Sequence, residues 1–421
     1  MSRRPSASAI APSVAALFFL ALLALPVPGH SAQAASASAA SSAITGVPHG
    51  QAASAAPVTP TAQPDASEAQ DGPPASDTSI PPGPYRSFSP FPILMYDTDI
   101  GFGYGGRVKF VDYLRGKESL DLIVFNSTKG ERWYVFSFSI PDLEIRQGRT
   151  YGLSFDLKAE YDKFLNYGYY GLGPDTSEGD RTHLTYEMIN LPVVFGRGLT
   201  PHLVVEASYT LRWTRHLDPR EGAFIDEIAA LAAAGRAFVP VALLALRYDT
   251  SDSQIHPTRG LRLIVQGEAA ASFLGSRDAS FGRLTLDLRK YTRVFGPKDV
   301  FAVRALAQYV GGARIPLYDH ASLGGGNTLT ALRGFPLNRF LDRGKFLLNA
   351  EYRFPLFGRL GGNVFADAGT VWPSLREIDL GRVAVDAGLG LRFYMPDFVV
   401  RVDAAWSREG MGLYFNFGHI F

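Results

Sequence analysis

Beyond residue 90 the chain alternates. Phe346, Leu348, Ala350, Tyr352 and Phe354 interleave with Lys345, Leu347, Asn349, Glu351 and Arg353. Leu261, Leu263, Val265, Gly267 and Ala269 do the same with Arg262, Ile264, Gln266 and Glu268, and Leu284, Leu286 and Leu288 separate Arg283, Thr285, Asp287 and Arg289. Two residues is the repeat of a strand, whose side chains point to opposite faces in turn. No uninterrupted apolar run of 18 residues occurs in this part, so a membrane helix has no candidate. The nearest stretch, Ile228 to Leu246, is broken by Arg236 and Pro240 and reads as a small helix in a loop followed by a strand. One apolar and one charged face is what a strand between lipid and a wet lumen requires.

Sixteen such strands can be laid out over residues 91–421, among them 92–98, 150–162, 201–215, 344–356, 361–371, 382–395 and 411–421. Tight turns (Gly296-Pro297-Lys298-Asp299, Phe357-Gly358-Arg359, Met395-Pro396-Asp397) alternate with longer connections at 163–181, 216–236 and 313–343. The fold class expected is all-β: a 16-stranded antiparallel transmembrane β-barrel, closed because lipid cannot satisfy an open sheet edge. The final residues, Leu413 to Phe421, put odd positions on the lipid face and even positions in the lumen.

The first 90 residues differ in kind. Ser2-Arg3-Arg4, the apolar run Val14 to Val27 and Ala32-Gln33-Ala34 form a secretory signal over 1–34, cleaved after Ala34. Residues 35–84 contain no aromatic residue and no Lys or Arg. Such a stretch cannot bury enough apolar surface to offset its chain entropy. Residues 35–90 are therefore expected to be a disordered Ala/Ser/Pro-rich periplasmic linker. A formal net charge of +1 removes the electrostatic case for nucleic acid. The absence of Cys excludes disulfides, thiolate metal sites and a Cys nucleophile.

Three motifs carry a resemblance. Leu323-Gly324-Gly325-Gly326 and Leu332-Arg333-Gly334-Phe335 lie in the longest late loop, between strands 11 and 12. Val364-Phe365-Ala366-Asp367-Ala368-Gly369 follows on strand 13, with Phe365, Asp367 and Gly369 on one face. Tyr248-Asp249-Thr250-Ser251-Asp252 and Pro257-Thr258-Arg259-Gly260 make a turn. Together they resemble the BamA/TamA family of outer-membrane proteins, the bacterial surface antigens. The resemblance implies that the loop folds into the lumen and presents Arg333, Gly334 and Phe335 at its tip, with the Asp367 carboxylate receiving the arginine. Glu351, on the inward face of strand 12, is the competing partner, and Gly369 leaves room for the loop. The terminal strand, with Phe415, Phe417 and Phe421, resembles the signal read by the barrel-assembly machinery during biogenesis.

The same resemblance implies insertion or translocation of protein, or of lipid, at the bacterial outer membrane. Relatives carry periplasmic POTRA docking domains ahead of the barrel. The linker here is too short and too polar for one, so the chain is expected to lack them. A separate periplasmic partner or a polypeptide cargo is then the expected company, beside outer-membrane lipid. The alternative is a structural surface-antigen barrel, or a passive pore without assembly activity. No catalytic, cofactor-binding or metal-ligating constellation is found: HExxH, GxSxG and P-loop motifs are absent, and the eight His are scattered. Gly101 to Gly106 fits GxGxxG, but Arg107 to Tyr113 alternates where a helix would have to begin. Asp97 and Asp99 read as turn chemistry. An enzyme is not expected.

Overall fold

The computed structural model describes residues 79–220, 222–230, 235–395 and 398–421; the signal segment, most of the linker, and Pro396 and Asp397 lie outside them. Sixteen strands form one closed antiparallel sheet. They are β1 (Ser87–Asp97), β2 (Gly101–Val111), β3 (Ser119–Ser127), β4 (Arg132–Ile140), β5 (Tyr151–Tyr169), β6 (Thr182–Gly198), β7 (Leu203–Arg220) and β8 (Val241–Asp249). The second half comprises β9 (Gly260–Ala270), β10 (Ser280–Arg293), β11 (Val300–Arg314), β12 (Gly344–Phe357), β13 (Leu360–Trp372), β14 (Ala384–Tyr394), β15 (Val399–Trp406) and β16 (Met411–Phe417). Each pairs with its sequence neighbours, and β1 meets β16 to close the ring. A helix, α1 (Ile225–Ala230), and a three-residue strand (Arg236–Phe238) precede β8, as Arg236 and Pro240 foretold.

The barrel is inside-out relative to a soluble fold. Leu244, Leu246, Leu284, Val364, Val385 and Leu389 are exposed on the outer face, while Arg212, Arg304, Arg333, Arg353 and Arg392 are fully buried in the lumen. Ladders of hydrogen bonds satisfy the wall, so lipid meets side chains alone.

Several strands run longer than expected. β5 reaches Tyr169 and β7 reaches Arg220, inside stretches read as loops. Register shifts at Phe164/Tyr167 and His183/Thr185 interrupt the alternation that would have revealed them. β1 begins at Ser87, within the segment expected to be linker, and carries Pro90 and Pro92.

The end of the chain departs most. Phe415 and Phe417, expected to face lipid, are 6% and 8% exposed, and Phe421 is 4% exposed. Phe417 packs edge-on against Phe91, 5.6 Å between ring centroids, and against Phe398 at 5.8 Å. By the pleat of β1, Phe91 shares the inward face of Ile93 and Met95, so the end of β16 lies behind β1 rather than beside it. Gly418 then takes a left-handed φ of 77° and the tail turns into the lumen. There Ile420 and Phe421 pack with Tyr291, Val300, Ala302 and Ala331, and Arg353 Nη2 donates to the Phe421 carbonyl at 3.1 Å. The alternation itself holds, since Tyr414 and Asn416 stand opposite the lumen residues Asp403 and Arg401; on the other face, Phe91 of β1 covers Phe417 where lipid was expected.

His419 and His256 meet at this mouth, ring centroids 6.1 Å apart, with Tyr394 against both. Burial, then Arg353 and Arg392, holds His419 well below the usual histidine range, with His256 itself and Arg401 adding to the effect. Burial likewise lowers His256, although its bond to the Met395 carbonyl opposes the change. Both rings are therefore neutral while the tail is docked. A released tail would take up a proton below the ordinary histidine pKa of 6.5, so docking is intact at neutral pH and weakens as pH falls beneath that value. Single-channel conductance is expected to rise on acidification from neutrality to pH near 5, and His419→Gln should flatten the rise; an unchanged profile in that variant would refute the link.

Candidate functional site: a loop held in the barrel lumen

The connection from β11 to β12 occupies the lumen. It begins with a turn at Leu317–Asp319 and contains a small hairpin pairing Ala321–Leu323 with Phe340–Asp342. Gly324 and Gly325 take left-handed φ values of 124° and 78°, and a side chain on Gly324 would strike the Pro336 carbonyl. These glycines let the Leu332–Phe335 segment double back against the hairpin, where Gly325 N donates to the Phe335 carbonyl at 2.9 Å. Phe335 then fills an apolar cluster with Leu306, Leu323, Leu332, Phe340 and Leu347.

Arg333 projects from this turn. Its Nε and Nη2 donate to Asp367 Oδ2 and Oδ1 at 2.7 and 2.8 Å, a bidentate fork. Nη1 reaches Glu351 Oε1 at 2.7 Å and Asp403 Oδ2 at 3.2 Å. The guanidinium lies 3.4 Å above the Phe365 ring. The two partners weighed from sequence are thus both engaged, on β13 and β12. All four charged groups are fully buried. Gly334 N donates to Asp386 Oδ2 at 2.9 Å, and a Cβ there would crowd Asp386 and Ser407. Gly369 opens the wall: a Cβ would meet Leu323 and Leu332 of the loop within 3.1 Å.

Sequence reading missed much of this site. Asp386, Asp403, Arg392 and Tyr414 were not singled out, although strand parity points each of them inward. Arg392 Nη1 donates to Asp403 Oδ1 at 2.5 Å, Arg353 Nε to Glu351 Oε2 at 2.8 Å, and Asn349 Nδ2 to Asp367 Oδ1 at 2.8 Å. A second anchor was missed altogether. Asp319 accepts from Arg212 Nη1 at 2.9 Å and from Arg283 Nη2 at 2.6 Å, and Arg283 also reaches Glu268 at 2.8 Å.

The seam lies beside the loop. β1 and β16 share only Tyr96↔Phe415 and Asp97↔Tyr414, whereas every other adjacent pair of barrel strands shares seven or more residue pairs. Thr98 N donates to the Leu413 carbonyl at 3.2 Å. By the two-residue repeat, residues 90 and 92 turn toward that same edge. Both are proline, which has no N–H to give.

The third motif is a turn between β8 and β9. Asp252 Oδ1 accepts from Thr258 N at 2.8 Å and Arg259 N at 3.2 Å, and Asp249 caps Ser251 N at 2.8 Å. Asp99 N likewise closes on Asp97 Oδ1 at 2.7 Å. Among the described residues no group of three or more potential metal ligands is assembled.

Inward loop, lumen charges and apolar outer face define a membrane β-barrel with a loop-occupied lumen. Residues 121–421 match the Omp85 superfamily domain, and the chain belongs to that superfamily of bacterial outer-membrane barrels. No curated protein sequence matches. In fold the chain is similar to BamA from Haemophilus ducreyi lacking POTRA domains 1–3, with a TM-score of 0.60 at 14% identity over 79% of this chain and 70% of that one. It is also similar to CdiB from Escherichia coli (0.56, 12%, 80% of this chain) and from Acinetobacter baumannii (0.52, 13%, 78%). It spans 63% and 59% of those two chains, less than two thirds of either.

Proposed function

We propose that this barrel inserts or translocates polypeptide, or lipid, at the outer membrane, and that the lumen loop governs opening of the β1–β16 seam. One observation carries the reading: the tip of the loop is bonded to both edges of the barrel's shortest ladder. Tyr414 Oη, on β16, donates to the Arg333 carbonyl at 3.0 Å. Leu337 N donates at 3.2 Å to Asp99, in the turn two residues past the end of β1. A loop gripped by Asp367, Glu351 and Asp403 therefore holds the seam as well, and moving one moves the other. Pro90 and Pro92 keep the rest of the seam from zipping. Export through a cleaved signal peptide, assembly by the barrel-assembly machinery through Phe415, Phe417 and Phe421, and a periplasmic partner or cargo complete the reading. The barrel itself performs no bond chemistry in it.

The chain's lack of Cys makes a direct test clean. Tyr96→Cys with Phe415→Cys places two thiols across the seam, and oxidation locks it. In proteoliposomes, the reduced double variant should accelerate folding of a small outer-membrane barrel several-fold over protein-free vesicles, and the oxidised one should not. Equal acceleration in both states would overturn the role of the seam. No acceleration by the unmodified protein would overturn insertion altogether.

A further inference from the structure

The outer wall carries one row of charge at the level where lipid ends. Four consecutive ladders align it: Arg132 on β4 faces Lys163 on β5, Lys163 faces Glu187 on β6, Glu187 faces Arg215 on β7, and Arg215 faces Arg236 on the short strand before β8. Side chains directly opposite one another share a face, so all five point outward. Arg132, Arg215 and Arg236 are exposed and the other two half-buried. The row holds four cations against one carboxylate.

The next outward row fixes its height. Tyr134, Tyr161, Ile189, Trp213 and Phe238 stand directly beneath, in the same register. Tyr134 and Tyr161 stack at 5.7 Å and Trp213 packs on Phe238 at 5.0 Å. An aromatic girdle of this kind marks a membrane interface. Following β6 downward, the outward positions are Ile189, Leu191, Val193 and Phe195, and then Arg197, which is exposed. Ten residues separate Glu187 from Arg197; at about 3.4 Å per residue and a tilt near 40° they span about 25 Å vertically, the height of the apolar band of such barrels. The two charged positions therefore bracket the hydrocarbon. The upper one lies on the side of the long loops, where β5, β6 and β7 continue beyond it.

Cations at that level meet lipid headgroups. Glu187 takes Lys163 at 2.8 Å and the Tyr161 hydroxyl at 3.0 Å but leaves Arg215 3.8 Å away. Among the described residues no ion pair is formed by Arg132 or Arg236. With strands about 4.8 Å apart, four steps make a row about 19 Å wide, broad enough for the phosphates of one large headgroup.

We propose that this row is a docking surface for the phosphate groups of an anionic, phosphorylated glycolipid in the outer leaflet. Guanidinium forks bind phosphate oxygens in two-point fashion, and the aromatic row beneath receives the acyl region. The row lies on β4–β7, away from the seam, so it anchors the barrel while β1 and β16 remain free to part.

The test uses the full chain in nanodiscs of neutral phospholipid doped with bis-phosphorylated lipid A or the same lipid stripped of phosphate. Retained lipid is measured by native mass spectrometry. The protein should prefer the phosphorylated form, and each cation removed should weaken retention about fivefold. The combined Arg132→Gln, Lys163→Gln, Arg215→Gln, Arg236→Gln variant should erase the preference. Arg197→Gln with Lys290→Gln, at the opposite rim, should leave it intact. Equal retention of the two lipids by the wild type, an equal loss in the opposite-rim variant, or displacement by inorganic phosphate in excess would each overturn the proposal. Should the fourfold variant not fold, Arg236→Gln alone and a salt titration of the wild type decide: unaltered retention in both refutes it.

Discussion

Arg333→Ala is expected to destabilise the barrel by about 3–5 kcal/mol, the range seen when one member of a buried ion pair is removed, and to raise its conductance. The cost follows from what is left behind. Glu351 keeps Arg353 at 2.8 Å and Asp403 keeps Arg392 at 2.5 Å. Asp367 keeps no bonded cation: it retains the Asn349 amide at 2.8 Å, a long bond from the backbone N–H of residue 333 at 3.5 Å and a side-chain contact with Asp386, too little for a fully buried carboxylate. Arg333→Lys keeps the charge without the fork and should recover part of the loss. Arg333→Ala combined with Asp367→Asn should also recover part, because the orphaned charge goes with its partner. The midpoint of the heat-induced gel-mobility shift measures the first effect and planar-bilayer recording the second. If neither changes, the loop is held by something other than this arginine.

The wall was legible in the sequence because lipid and lumen impose opposite demands on alternate residues. β12 shows this plainly: Phe346, Leu348 and Tyr352 alternate with Lys345, Asn349 and Glu351, and no soluble requirement competes. Sixteen strands and the position of the long loop between β11 and β12 follow from that pattern. The pattern fails where both faces are buried or wet. Tyr167 and Tyr169 of β5 pack on Tyr186 and Phe224, and Gly168 between them is buried as well, so the two faces do not alternate. At β16 the outward face is covered by β1, where Phe91 packs on Phe417, and a partner so far earlier in the chain leaves no trace in the local pattern. The partners of Arg333 were half legible. Asp367 and Glu351 stood in recognisable surroundings, whereas Asp403 and Asp386 differ from any other inward carboxylate only through the loop that reaches them. Asp319 was invisible for the converse reason: its arginines, Arg212 and Arg283, lie on strands β7 and β10, far away in sequence.

Asp319→Ala should be as damaging as the loss of Arg333, about 3–5 kcal/mol, because it strips a buried carboxylate from two buried arginines. Arg283 would retain Glu268 at 2.8 Å, but Arg212 would lose the one carboxylate that it bonds among the described residues, keeping the Tyr318 ring 5.9 Å away. The two anchors have opposite polarity. At its start the loop offers an acid to basic strands β7 and β10; at its tip it offers a base to acidic strands β12, β13 and β15. A loop tied at one end alone would keep much of the freedom that insertion into the lumen removes. The second tie therefore costs less chain entropy once the first is made, and the two should reinforce one another. In the doubly substituted Asp319→Ala, Arg333→Ala barrel, the loss should fall short of the sum of the single losses by about 0.5–3 kcal/mol, the range for coupled sites. Strict additivity in the heat-induced mobility midpoints would mean that the two ends of the loop are held independently, and that strain at β7 and β10 does not reach the seam through it.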